Sequence, residues 1–430
     1  MKKSALSLVI LLLIASFFLV SCNGSAHISL PPSKLTERVL ASQSAATPTA
    51  SPGLIVIDGE YDTLSTRGTA EISAGTSPGL MAVSPERSTL LAFDSATNKV
   101  DVVDTSKETL TGTLQLPGPT ISMAVPNPAV GYAAVPNAPL NGSPNGGIVV
   151  MNLTSPGVTA IISVPNAQMV VSNPSGSVLL VFSNDSDSVT VVYPLALNLN
   201  SPLTVTVPGF DRPVNAVFSS DGNTAYVENC GAECGGTQAS VQVMDISTTP
   251  PTLGPLVPVD GATIAFYHSE TQLLWVAGNS PTNNACTGET TAAKTCGRLD
   301  IIDVNSMTVT GRLAITDGYH DRIAFGLGGQ LFIGSYACTN IGNVNNVQGE
   351  VRGCLSIYNA VNNTVVIPPD NGDVTGLQSF TSRYVVYVAE GGNLRVYSTT
   401  SDSLLITDYI RTGTIVITGA ITDVKAIDFF

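Results

Sequence analysis

The densest run of chemically versatile side chains in this 430-residue sequence is Asp317-Gly-Tyr319-His320-Asp321-Arg322. It sets carboxylates, a phenol, an imidazole and a guanidinium side by side. A second acidic run, Asp370-Asn371-Gly-Asp373, follows, and Asp211-Arg212, Asp260 and Asp423 lie in similarly punctuated stretches. Carboxylates gathered around one point suit Ca²⁺, which takes about six to eight oxygen ligands. Asp317, Asp370 and Asp373 are the residues that would supply them. A polar ligand such as a sugar is the other chemistry this set fits, held by Asp317, Tyr319, His320, Asp321, Arg322, Asp370, Asn371 and Asp373. A plainer reading also stands, because Asp, Asn and Gly favour turns and collect there regardless of function.

Other motifs fall short of a reaction. Gly75-Thr-Ser77-Pro-Gly79 spells G-x-S-x-G, but a strand-like segment follows it where a nucleophile elbow needs a helix. Gly326-Leu-Gly-Gly329 has no following helix and no Lys-Ser/Thr pair, so it reads as a hairpin turn. Asp185-Ser-Asp187 lacks the glycine and distal Glu of a Ca²⁺ loop. Histidine is scarce, at 3 residues, and only His320 adjoins other reactive groups. A general base at His320 would have no evident nucleophile beside it, so no catalytic residue is assigned. Trp275 lies in a strand-like run and reads as core.

These residues must be positioned by strands. Beyond residue 35 the chain consists of short apolar runs rich in Val, Ile, Thr and Tyr, separated by Gly, Pro, Asn and Asp, without sustained helical periodicity. One unit comprises Leu80–Val83, Leu90–Asp94, Val100–Val103 and Thr111–Leu116. The same order recurs, with first strands near 80, 121, 168, 214, 263, 322 and 377. Four strands per unit, repeated roughly every 40–60 residues, is the signature of a β-propeller blade. Arg38–Ser42, Leu54–Asp58 and Thr69–Ser73 align with strands two to four, while 422–429 (TDVKAIDF) resembles the first strand RPVNAVF at 212–218. The C-terminus should therefore complete a blade begun by the N-terminus and close the ring. That gives an all-β propeller of eight four-stranded blades; seven is the alternative if one divergent unit does not form a blade.

The third-strand and turn sequences VDVVDTSKETLTGTL (100–114) and LDIIDVNSMTVTGRL (299–313) resemble the YVTN-type β-propeller repeats of bacterial surface proteins. The resemblance spans nearly all of 35–430, with Tyr226-Val-Glu-Asn229 nearest the namesake tetrad. It implies the propeller fold and leaves the role open, since such folds serve many functions.

In a blade, the loops joining strands two to three and four to one emerge on one face. The two-to-three loops are the long ones here: 137–146, 229–239, 279–297 and 337–353. Loops of such length in a compact repeat are commonly functional or disordered. The four-to-one loops of the same face carry the acidic runs described above. Cys230/Cys234, Cys286/Cys296 and Cys338/Cys354 fall in successive long loops, without a zinc-like Cys-x-x-Cys or His pair. Three local disulfides, each stapling one loop, are expected; they fit an oxidising compartment.

The N-terminus agrees with export. Lys2 and Lys3 precede an apolar run from Leu6 to Val20, the pattern of a secretory signal. Leu19-Val-Ser-Cys22 resembles the bacterial lipobox, which implies a lipid-modified Cys22 as the mature N-terminus. The expected organisation is a lipoprotein signal peptide at 1–21, a tether at 22–34 and the propeller at 35–430. This places the protein at the bacterial cell envelope, attached to a membrane through its lipid and facing away from the cytoplasm.

Composition narrows the partner. With 18 basic and 32 acidic residues the net charge is −14, which argues against nucleic acid. A hydrophobic fraction of 43% with 12% charged residues suits a large core and excludes a disordered chain. The function expected is a non-enzymatic binding or assembly module that offers its stapled loop face to a protein or glycan. The alternative is a metal-dependent, lactonase-like hydrolase at the channel mouth.

Overall fold

The chain forms a ring of eight antiparallel sheets, seen in a computed structural model that describes residues 30–45, 52–139, 145–194, 202–280, 296–338, 353–368, 372–406 and 420–428. Blade 1 is composite. Its inner strand is Ala420–Ala426, followed outward by Arg38–Ser44, Gly53–Asp58, and the two short segments Thr63–Leu64 and Glu71–Ile72. Blades 2, 3 and 4 occupy 78–115, 122–163 and 167–208. Blade 5 comprises Pro213–Phe218, Thr224–Asn229, Ser240–Asp245 and Thr252–Pro258; blade 6 comprises Ile264–His268, Leu273–Ser280, Cys296–Asp303 and Thr308–Ile315. Blade 7 runs through Tyr319–Phe325, Gln330–Tyr336, Leu355–Asn359 and Thr364–Val366, and blade 8 through Val374–Ser379, Val385–Glu390, Asn393–Ser398 and Leu404–Ile406. Each inner strand touches the inner strands of the blades on either side, and the strand at Ala420–Ala426 joins blade 8 to blade 2. The expected eight blades and their closure are both present.

Packing explains why strands two and three are nearly continuous apolar runs rather than alternating ones. Among the described residues, the buried apolar side chains form eight clusters, each between successive blades. Successive side chains on a strand point to opposite faces, and both faces of a middle strand are covered. Ala225 and Val227 thus pack towards blade 4, while Tyr226 between them packs towards blade 6. Outer strands are half-solvated, as in Thr252–Pro258, where Val257 is the buried residue.

The strands share two ends with different chemistry. At one, strands three and four are joined by short turns built on a repeated residue. Asp58, Asp104, Asn152, Asp245, Asp303, Asn359 and Ser398 each end or closely follow the third strand and accept backbone N–H bonds from two or three positions on. Four residues after five of them, at Asp62, Glu108, Met307, Asn363 and Asp402, the backbone enters the left-handed region. A side-chain oxygen standing in for a carbonyl makes such a turn local and repeatable. We call this end the turn face.

The ring is locked on the turn face by a buried ionic network. The Arg38 guanidinium donates to Asp428 at 2.6 and 2.8 Å, to Glu108 at 3.0 Å and to the Thr105 carbonyl at 2.6 Å. It ties the N-terminal strand, the C-terminus and blade 2 together. Glu108 also accepts the Ser33 N–H at 2.7 Å, which fixes the segment entering the first strand. A second clamp joins blade 8 to blade 1, where Arg383 donates to both oxygens of Asp62 at 2.6 Å.

Candidate functional site

At the other end, the loop face, inner strands begin and second strands end. Pairing of the inner with the second strand skips a residue there in several blades: between Ala167 and Met169, Pro213 and Asn215, His320 and Arg322, and Val374 and Gly376. A bulge bends its strand and re-aims one side chain. In blade 7 the skipped residue is Asp321; in blade 8 it is Thr375. Arg322 donates Nε–H to the Thr375 carbonyl at 2.8 Å and Nη1–H to Asp321 Oδ2 at 2.9 Å, which holds the two bulges against each other. Asp321 Oδ1 is buried without a hydrogen-bond partner, and burial raises the Asp321 pKa against the opposing pull of Arg322.

Beside them stands an aromatic pair set by register. Tyr319 opens the inner strand of blade 7 and lies opposite Tyr336 at the end of the second strand. Their rings meet at 5.3 Å between centroids, tilted by 45°. Tyr319 is half-buried, and Tyr336 remains 41% exposed. Burial pushes both phenols above their usual pKa, helped at Tyr319 by the Tyr336 ring and nearby carboxylates and at Tyr336 by Asp321 against the pull of Arg322, so neither ionises at neutral pH.

A carboxylate from blade 5 completes the group. The Cys230–Cys234 disulfide closes a single turn of 3-10 helix, Gly231–Cys234, that carries Glu233. Glu233 accepts the Asn279 backbone N–H at 2.9 Å and its Nδ2–H at 3.1 Å, and Asn279 Nδ2 also donates to the Gly318 carbonyl at 2.7 Å. Blades 5, 6 and 7 are stitched together there by one Glu and one Asn. Burial raises the Glu233 pKa to about 7, offset in part by the two Asn279 donors.

The remaining sequence candidates have distinct fates. His320 is fully buried; its Nε2–H donates to the Thr316 carbonyl at 2.9 Å, and burial lowers its pKa to about 4. The imidazole is therefore a neutral brace inside blade 7, not a lining group. Asp317 is also buried, with its carbonyl accepting Ser335 Oγ–H at 2.8 Å. Asp373 is exposed and accepts the Ala337 N–H at 2.8 Å, beside the Cys338–Cys354 disulfide. Asp370 and Asn371 lie outside the described residues, as do Cys22 and Cys286, and Cys296 is described only as the start of its strand. The structure thus brings Tyr319, Asp321 and Arg322 into one mouth and adds Glu233, Asn279 and Tyr336.

The other acids are occupied. Asp423 is buried and accepts the Met81 and Val424 N–H groups and Lys425 Nζ, all at 2.8 to 2.9 Å. Asp211 caps the Thr237–Gln238 backbone, which depresses its pKa despite partial burial. Asp260 lies 3.7 Å from Arg298 and 3.9 Å from Arg312. Among the described residues, no three His, Cys, Asp or Glu side chains converge as metal ligands. A described cavity of about 450 Å³ lies elsewhere, on the turn face, lined by Lys34, Tyr61 and Arg67 among others.

Glu228 escaped the sequence reading. It is the third residue of the nearest match to the YVTN tetrad, is fully buried, and neither oxygen has a hydrogen-bond partner in another residue. Strand alternation sets it on the same side as Tyr226, in the interface with blade 6. Burial raises its pKa well above the usual carboxylate range.

Among the described residues, no helix is long and apolar enough to cross a membrane. The two disulfides among the described residues point to an oxidising, extracytoplasmic compartment. No protein-family model matches the chain, and no curated protein matches it in sequence. Solved structures do resemble it in fold. The dihydro-heme d1 dehydrogenase NirN superposes with a TM-score of 0.61 at 11% identity, covering 93% of this chain and 79% of NirN. A putative 6-phosphogluconolactonase from Bacteroides uniformis gives 0.51 at 12% identity, covering 77% and 95%. A functionally unknown protein from Desulfotomaculum acetoxidans gives 0.51 at 13% identity, covering 79% and 100%. At such identities the likeness extends to the fold: this chain is an eight-bladed β-propeller.

Proposed function

We propose that the chain is an exported, lipid-anchored propeller of the YVTN-repeat type that binds a protein or glycan through the mouth of its loop face and performs no reaction of its own. The observation that carries this reading is the group of Glu233, Asn279, Tyr319, Tyr336, Asp321 and Arg322, drawn from three successive blades and braced by disulfides on either side. An exposed phenol ring, a guanidinium and carboxyl oxygens offer an apolar platform and hydrogen bonds in both directions. Such sets recognise polar surfaces, and Tyr and Arg are the side chains that dominate binding energies. Chemistry has less support. His320 is buried and neutral, with its Nε2 engaged, so it is not placed to serve as a base. The likeness to a lactonase-like propeller is one of fold.

The test is an array of envelope polysaccharides and envelope proteins probed with the intact chain, with Ca²⁺ or a chelator present. Binding by at least one class, lost in Tyr336→Ala and Arg322→Ala, is the expected result. Turnover of a lactone or ester that is unaffected by those changes would overturn it.

A further inference from the structure

The segment that enters the ring from the N-terminus does so on the turn face. The strand Arg38–Ser44 starts opposite Asp58, at the turn end, and finishes opposite Gly53, at the loop end. Ahead of it, Ser33 is fully buried, with its N–H and hydroxyl bound to Glu108 in the turn of blade 2. Lys34 closes a turn onto the Pro31 carbonyl at 2.8 Å. The carbonyl of Pro32 sits so close to Gly68 that a Cβ there would come within 1.8 Å of it. The entering segment is therefore fixed to the turn face from about Pro31 onward. The C-terminal Asp428 is fixed on the same face by Arg38.

We infer that the anchor and the binding mouth occupy opposite faces, so that the stapled loops point away from the membrane and meet a hydrophilic macromolecule arriving from the aqueous side. This rests on the reading of Cys22 as lipidated. Between Cys22 and Leu30 the chain spans at most about 30 Å when fully extended, at roughly 3.3–3.6 Å per residue. A strand of seven residues such as Arg38–Ser44 already rises about 23 Å. A tether leaving the turn face would use most of its reach climbing one blade, before passing the long loops above it. The bilayer is thus held against the turn face, and the group around Tyr336 stands at least one strand length further out.

The test uses the full chain, processed by its own leader and reconstituted into phospholipid vesicles that carry an acceptor dye on a lipid headgroup. A donor dye is carried on a noncanonical residue at Glu270, exposed in a turn-face hairpin, or at Ile121, exposed in the loop-face connection that leads into the inner strand of blade 3. Energy transfer should be greater from position 270 than from position 121, by at least about twofold for a separation of one strand length. Inserting a flexible Gly/Ser stretch of about 20 residues after position 29 should erase the difference, because such a linker lets the ring tumble. Equal transfer from both sites without the insertion, or greater transfer from position 121, would overturn the proposal. Mass spectrometry of the processed N-terminus separates the two ways of failing. An unacylated Cys22 removes the reading underneath, whereas an acylated one with the wrong transfer order removes the orientation alone.

Discussion

The two ends of the same strands are built on opposite terms. On the turn face, one side-chain oxygen caps a short turn in seven blades, and the result repeats from Asp58 to Ser398 with small variations. On the loop face, the described side chains differ between neighbouring blades: blade 5 offers Glu233 on a cystine-closed turn, blade 6 Asn279, and blade 7 two tyrosines and an Asp–Arg pair. The regular end holds the ring together and anchors the termini. The irregular end holds buried carboxyl groups with too few partners, a condition that costs stability. On the proposed reading, stability and recognition are segregated along the strand axis.

Breaking the regular end should cost most. Arg38→Ala would leave Glu108, whose side chain is fully buried, without its cation, and would release Asp428. A loss of about 3–5 kcal/mol in denaturant unfolding is expected. A loss below 1 kcal/mol, the scale of a surface pair, would show that the network is not the lock.

The disulfides sharpen the comparison from the irregular end. Removing Cys338–Cys354, which closes a sequence separation of 16, should cost about 3 kcal/mol, and removing Cys230–Cys234, with a separation of 4, about 2 kcal/mol. Only the second carries Glu233. Its loss should also return the Glu233 titration towards the usual carboxylate range, which NMR of the side-chain carboxyl would detect.

Protonation supplies the next test. Glu233 titrates near 7 in the folded chain against 4.5 unfolded, so the folded state holds the proton more tightly. Stability should therefore be highest in mild acid and fall as pH rises from 4.5 to about 7, levelling off above. The fall attributable to this group is on the order of 2–3 kcal/mol. Glu233→Gln should flatten that window. Glu228, buried in the blade 5–6 interface, acts in the same direction, and Glu228→Gln should flatten the profile further. Melting temperatures that rise with pH from 5 to 7 would contradict both assignments.

The smallest effect belongs to a single turn. Asp104 accepts the Ser106 and Lys107 N–H groups, and these bonds with Lys107 Nζ hold its pKa below the ordinary value. Asp104→Ala should cost about 1 kcal/mol, with the other blades unaffected. Hydrogen exchange confined to 104–109 is the expected signature.

Why the fold could be read and the mouth only half read follows from the same segregation. Blade strands are local: each is a short apolar run, and the Asp or Asn after it sets the turn from its own side chain, so LDIIDV or VDVVDT carries its structure in sequence. Ring closure was legible because 422–429 repeats the pattern of a first strand. The mouth is a matter of long-range register. Tyr336 became a site residue because it pairs with Tyr319, and Asn279 because it reaches both Glu233 and Gly318. An acid inside the short Cys230–Cys234 loop was the available signal for Glu233. His320 looked reactive among its neighbours, yet strand alternation turned it inward to Thr316. Buried Glu228 had no signal beyond its place after the apolar run Ala225–Val227 of its strand.

The central claim is that recognition belongs to the loop face and not to the turn face. The most direct measurement is binding of the intact chain and two variants to the same array of envelope glycans and proteins. Tyr336→Ala alters the mouth; Lys107→Ala alters an exposed turn-face position whose side chain is 73% accessible. The account predicts that an array member bound by the parent chain loses Tyr336→Ala and keeps Lys107→Ala. Binding that survives the first change and disappears with the second would place the surface on the wrong end of the ring.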